Sequence, residues 1–193
     1  MKKFDDRLPE VNARDRDEWR SWLEANHHTA EGVWLVFCKV KSGIPSVRYK
    51  EAVKEALRYG WIDSKMQSLD ETRYRQIFTP RKRGSIWSKQ NKGWIEEVIH
   101  EGRMTASGMA KIEAAKQDGS WNSLDAAEAL VVPDDLRAEL DRNPAAQRNF
   151  SAFTESQRKR LLFYIYDAKR VDTRIRRIER VIEWAEEGVM PEG

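Results

Sequence analysis

Cysteine is almost missing from this chain. Cys38 is the only one in 193 residues, so no intrachain disulfide can form, and a lone thiol inside a strand-like phrase reads as a small buried apolar group. That usage fits a reducing compartment. Histidine is scarce too. The three are His27, His28 and His100. Adjacent histidines point in different directions, and no Cys or His recurs at metal-ligand spacing, so neither a metal site nor a cofactor is expected. No run of 18 apolar residues occurs, which excludes a membrane-spanning helix. The opening stretch "MKKFDDRLPEVNARDRDEW" has two lysines but no apolar segment, so no secretory signal and a cytoplasmic location are expected. The phosphate loops GxxxxGK[ST] and GxGxxG are missing, as is the GxSxG elbow. Carboxylates are so numerous that no pair stands out by spacing.

Charge and tryptophan are abundant instead. Charged residues make up 35% of the chain, the net charge is +3 and there are eight tryptophans. Large aromatics dominate core burial, so most of these belong inside. The charge is segregated. Thr72 to Gly93 has seven basic residues and no acidic one, Glu96 to Glu155 twelve acidic against six basic, and Arg158 to Arg180 nine basic against three acidic. Two basic segments flank an acidic one.

Periodicity predicts an α+β fold, mostly helical, with a small antiparallel sheet of about three strands in the N-terminal half and a helical C-terminal half. Residues 1 to about 12 read as loose and polar. "RDRDEWRSWLEAN" reads as a helix started by Asp15 or Asp17, "GVWLVFCK" as a strand, and "YKEAVKEALRYG" as a helix ended at Gly60. Arg48 precedes that helix, and Ser46 is the expected cap. "WIDSKMQSL" and "RYRQIFT" alternate around "DET" as a hairpin. Helices capped at Ser88, Thr105, Asn143 and Thr154 follow. Residues 120 to 132 read as a connector, Leu161 to Tyr166 as a buried helix, and the last helix as one with a stripe of Val171, Ile175, Ile178, Ile182 and Ala185. An α+β domain over 13–120 and a helical region over 133–188 are expected.

Two stretches carry candidate chemistry. Alternation places Trp61, Asp63 and Lys65 on one strand face, where Arg75 from the returning strand could join them; a solvated cross-strand ion pair is the plainer reading. The second stretch, "TPRKRGSIWSKQNKGW", puts Arg81, Lys82 and Arg83 before a helix starting near Ser88. A helix N-terminus adds its own positive end. Trp87 could stack a base or sugar, and Lys89 and Asn91 could bind polar groups, the residue types of an anion or nucleic-acid site. The plainer alternative is a solvated basic loop whose tryptophans anchor the helix.

The phrases "DEWRSWLEANHHTAEGVWLVFCK", "YKEAVKEALRYGWIDSK", "RYRQIFTPRKRGSIWSKQNKGWIEEVIHEGRMT" and "PAAQRNFSAFTESQRKRLLFYIYDAKRVDTRIRRI" resemble the bacteriocin-protection family, also called the YdeI or OmpD-associated family, from about Asp17 to Glu187. "GWIDSK", "FTPRK" and "WSKQN" are its most specific marks. The resemblance implies protection against bacteriocins and cationic antimicrobial peptides and association with an envelope protein, an outer-membrane porin. It brings no catalytic residues.

The expectation is a non-enzymatic binding protein linked to envelope or peptide stress, with an anionic ligand or nucleic acid at the basic aromatic stretch. The alternatives are an enzyme on a small anionic substrate at Asp63, Lys65 and Arg75, and a protein-interaction scaffold.

Overall fold

A computed structural model of the chain describes residues 4–191. These divide into two compact units. The first takes the chain up to Ser85 together with Gln90–Gly119; the second takes Ile86–Lys89 and the chain from Ser120 onward.

The first unit is built on a four-stranded mixed sheet of order β1-β2-β4-β3, with β1 Glu10–Asn12, β2 Val33–Cys38, β3 Trp61–Ser68 and β4 Arg73–Pro80. The hairpin β3–β4 and the pair β2–β4 are antiparallel, as expected. β1 is an addition: it pairs parallel to β2, with Val11 opposite Leu35. Its three residues are too few to alternate, so the stretch reads as loose chain in sequence. β2 is buried on both faces, since every residue from Val33 to Phe37 is 2% exposed or less. One face packs on helices α1 (Arg16–Asn26) and α2 (Tyr49–Arg58). There Trp19 meets Phe78 edge-on and Trp22 meets Trp61, with ring centroids 5.3 and 5.9 Å apart. The other face is partly covered by the single turn Phe4–Arg7, whose Asp5 carbonyl accepts the Trp34 indole N–H.

Most local signals operate as the sequence indicates, with one exception at α2. The Asp15 carboxylate accepts the N–H groups of Asp17 and Glu18 and caps α1. Thr105 caps α4 (Ala106–Gln117), and Gly60 takes the left-handed conformation after α2. Ser46 does not cap α2. Its hydroxyl accepts the Cys38 N–H, and Glu51 reaches back to the Arg48 N–H instead. α3 spans Lys89–His100 and buries Trp94, Ile95 and Val98.

The second unit is helical: α5 Asp125–Glu128, α6 Asp134–Arg142, α7 Pro144–Ala152, α8 Glu155–Tyr166 and α9 Val171–Glu187. α5 lies within the stretch that reads as a connector. Asn143 and Thr154 cap α7 and α8, Pro144 holding the first position of α7. Leu136, Phe150, Leu161, Leu162, Ile165, Ile178, Val181 and Ala185 form the core. The stripe of α9 is Ile178, Val181 and Ala185, whereas Val171 and Ile175 are 74% and 51% exposed. α8 is buried through Leu161, Leu162 and Ile165, not on every side.

Candidate functional site

Where β4 ends, the chain runs from Pro80 into Arg81, Lys82 and Arg83. The Arg81 N–H donates to the Gly60 carbonyl at 2.9 Å, which ties the start of the basic run to the turn before β3. Gly60 has φ +74°, a conformation that glycine adopts without strain. Beside this run lies a cleft of about 900 Å³. It is lined by Ser64, Lys65, Ile77 and Thr79 from the hairpin, by Phe4, Asp5 and Arg7 from the N-terminal turn, and by Arg81 to Arg83 with Lys111 from α4. Six cationic side chains (Arg7, Lys65, Arg81, Lys82, Arg83, Lys111) line it against two carboxylates, Asp5 and Glu31. The lining is therefore four charges positive. A concave, partly apolar wall concentrates that potential more than a flat surface would.

The cations differ in kind. Arg81 is 3% exposed, and burial pushes its pKa down to about 10, with Asp63 opposing the shift. It therefore stays protonated at neutral pH as a fixed, buried positive charge. Lys82 is exposed, and Arg83 is 89% exposed and only loosely placed near Asp118, at 3.8 Å. Lys65 donates to Asp5 Oδ2 at 2.6 Å, which fastens the hairpin to the Phe4–Arg7 turn.

The hairpin register corrects the single-face expectation. Asp63 pairs with Phe78 and Met66 with Gln76, so Ser64 and Lys65 together face Ile77 across a bulge. One extra residue reverses the alternation. Trp61 and Asp63 point to the helix-packed face, while Lys65 points into the cleft on the opposite one. Trp61 is 1% exposed. Asp63 Oδ2 accepts the Tyr49 hydroxyl at 2.8 Å and the Gln76 amide at 2.6 Å, and burial with the nearby Asp63 charge pushes the Tyr49 hydroxyl pKa up. Arg75 lies on the cleft-side face but away from the cleft. It is stacked 4.3 Å over Trp34 and bonded to Glu10 and Gln67. Asp63, Lys65 and Arg75 therefore do not converge, and no three-residue catalytic group forms there.

Trp87, Ser88 and Lys89 belong to the second unit and Asn91 to the first. Trp87 is 1% exposed, its ring centroid 5.1 Å from that of Trp121. A ring so buried has no face open for a base, so its role is to anchor its unit.

Sequence reasoning missed one charge cluster altogether. Glu55 on α2 is fully buried and ion-paired with Arg16 at 2.5 Å, with Arg103 at 2.6 Å, and with Arg58. Arg58 is one turn along α2 from Glu55, but Arg16 and Arg103 lie 39 and 48 residues away, and no spacing rule brings them to it. Arg7 and Lys111 of the cleft were missed for the same reason. Among the described residues, no group of His, Cys, Asp and Glu could hold a metal ion, and no helix is long and apolar enough to cross a membrane.

The architecture is that of an α+β unit with a basic cleft, carried on one chain with an all-helical unit. The chain belongs to the family described as Domain of unknown function (DUF8412), whose model matches residues 11–111, just over half its length. A second family model, described as Bacteriocin-protection, YdeI or OmpD-Associated, matches residues 129–188. The bacteriocin-protection resemblance is thus located in the helical unit, on "PAAQRNFSAFTESQRKRLLFYIYDAKRVDTRIRRI". "GWIDSK", "FTPRK" and "WSKQN" fall within the span matched by the first model. No curated protein matches the chain, and no solved structure does either.

Proposed function

We propose that the first unit binds a compact, phosphate-bearing anion in the basic cleft. The observation that carries this reading is the lining of six cations against two carboxylates around about 900 Å³, with Arg81 buried as a permanent charge. A volume of that size suits a small ligand. Burial of Trp87 removes the stacking platform that single-stranded nucleic acid needs, so a short polyphosphate is the better fit. The cellular role we propose with it is protection against bacteriocins, with envelope-protein association as its further element; the description of the second family, matched over residues 129–188, supports it.

The test uses two variants, each first checked for unchanged circular dichroism. Lys82→Glu/Arg83→Glu reverses exposed charge at the cleft, and Arg176→Glu/Arg180→Glu reverses it on α9. Both are titrated with tripolyphosphate and with a short oligonucleotide at low and moderate salt. The first variant is expected to lose binding at least tenfold and the second to keep it. Equal losses, or no binding by the wild-type protein, refute the reading. In cells, wild-type protein is expected to restore resistance of a deletion strain to a cationic bacteriocin, and the cleft variant is not.

A further inference from the structure

Behind the cleft, and sharing Lys111 and Pro80 with it, lies a smaller pocket of about 370 Å³ lined by His27, Tyr59, Trp61 and Ser107 among others. His27 Nδ1 is 2.9 Å from the Leu23 carbonyl at the end of α1. A carbonyl can only accept, so Nδ1 carries the proton of the neutral ring and Nε2 is left as an acceptor. Ser107 Oγ is 3.3 Å from that Nε2. A hydroxyl, a histidine positioned to take its proton, and a third group that fixes the histidine's tautomer are the three parts of an activated serine, often looser without substrate.

The surroundings hold both partners in place. Contrary to the expectation that adjacent histidines diverge, the His27 ring meets that of His28 at 3.8 Å, and it lies 4.7 Å from that of Tyr59, centroid to centroid. The His27 carbonyl accepts the Trp61 indole N–H at 3.3 Å. Ser107 stands in the first turn of α4, which Thr105 fixes by accepting the Gly108 N–H at 3.2 Å and donating to the Arg58 carbonyl at 2.5 Å. Lys111 lies four residues further on the same helix face and presents a cation to both pockets.

We propose that His27 and Ser107 form a nucleophile–base pair that cleaves a small ester whose acid part carries a second negative charge, with that charge held in the basic cleft. The substrate class rests on the anion-binding reading; the pair itself does not. In the first half-reaction, Ser107 Oγ bonds to the ester carbonyl carbon and its proton passes to His27 Nε2. The ester C–O bond then breaks, and the alcohol leaves with that proton. In the second, water gives a proton to Nε2 and attacks the acyl carbon. Ser107 Oγ leaves and regains its proton, releasing the acid. Lys111 is the group placed to offset negative charge on the carbonyl oxygen.

The first experiment treats the full-length protein with a neutral fluorophosphonate and locates the adduct by mass spectrometry. Phosphonylation at Ser107 is expected, slowed about a hundredfold or more by His27→Gln. Because the adduct is read on wild-type protein, a folding defect in the variant cannot mask the result. Absence of an adduct at Ser107, or an adduct formed at the same rate in well-folded His27→Gln, overturns the pair whether or not polyphosphate binds. The second experiment compares p-nitrophenyl hemisuccinate with p-nitrophenyl acetate. Faster turnover of the hemisuccinate, with the preference reduced at least tenfold in Lys82→Glu/Arg83→Glu, is expected. An adduct at Ser107 with no such preference overturns the anionic substrate class.

Discussion

Glu55→Gln is the sharpest test of how the first unit is held together. Glu55 is fully buried, and its two carboxylate oxygens face Arg16 from the start of α1, Arg58 from the end of α2 and Arg103 from the turn before α4. Replacing the carboxylate by an amide keeps the shape but turns an amide N–H₂ towards guanidinium donors and removes the charge they surround. Breaking a buried ion pair costs about 3–5 kcal/mol when the remaining charge is stranded. Here the arginine side chains are 29%, 12% and 25% exposed, and Arg103 also reaches Glu101 at 3.1 Å. They can turn to water or to Glu101, which puts the loss at the lower end, about 3 kcal/mol. The assay is urea unfolding followed by tryptophan fluorescence. Because the four residues act as one network, Arg16→Met should cost much less in the Glu55→Gln background than in wild type. A loss below about 1 kcal/mol, or strictly additive effects, would refute the network as a determinant of stability.

Other outcomes follow from single contacts. Gly108→Ala sets a Cβ 2.2 Å from the Arg58 carbonyl oxygen, so α4 must shift; a loss of about 1–3 kcal/mol is expected in urea unfolding, and an unchanged midpoint would contradict the close approach. Leu162→Ala truncates a side chain with 0% exposure in the helical core and should cost about 2–5 kcal/mol. Arg174 bonds to Asp135 at 2.6 and 2.9 Å and holds that carboxyl below its usual range. A depressed carboxylate stabilises above its unfolded pKa and loses that contribution as pH falls through the folded one. Arg174→Ala should therefore lower stability at pH 7 by less than about 1 kcal/mol, the pair being largely solvated, and narrow its gap to wild type below about pH 4. A gap that stays constant with pH would contradict the pairing.

How much of this was legible in the sequence depends on distance along the chain. Caps at Asp15, Thr105, Asn143 and Thr154 were readable because donor and acceptor lie within three residues. The hairpin was readable because two alternating runs flank a polar turn. The bulge at Ser64 and Lys65 was not: alternation assumes regular pairing, and the shift is visible only once Asp63 and Met66 find Phe78 and Gln76. β1 has no periodicity of its own and exists because β2 offers an edge. Arg81 looked like a surface residue from its neighbours, and Trp87 could be read as an exposed platform or as an anchor; tertiary packing buries both. The basic run was visible in composition, but the cleft it faces needs Arg7 and Lys111 from opposite ends of the unit.

We propose the cleft lined by Lys65, Lys82, Arg83 and Lys111 as the anion site. Its most direct test is an NMR titration of isotope-labelled protein with tripolyphosphate at moderate salt. Saturable shifts at those four residues, with the Arg176 and Arg180 signals unmoved, are the result the account predicts. Shifts spread evenly over both basic segments, or confined to the arginines of α9, would contradict it.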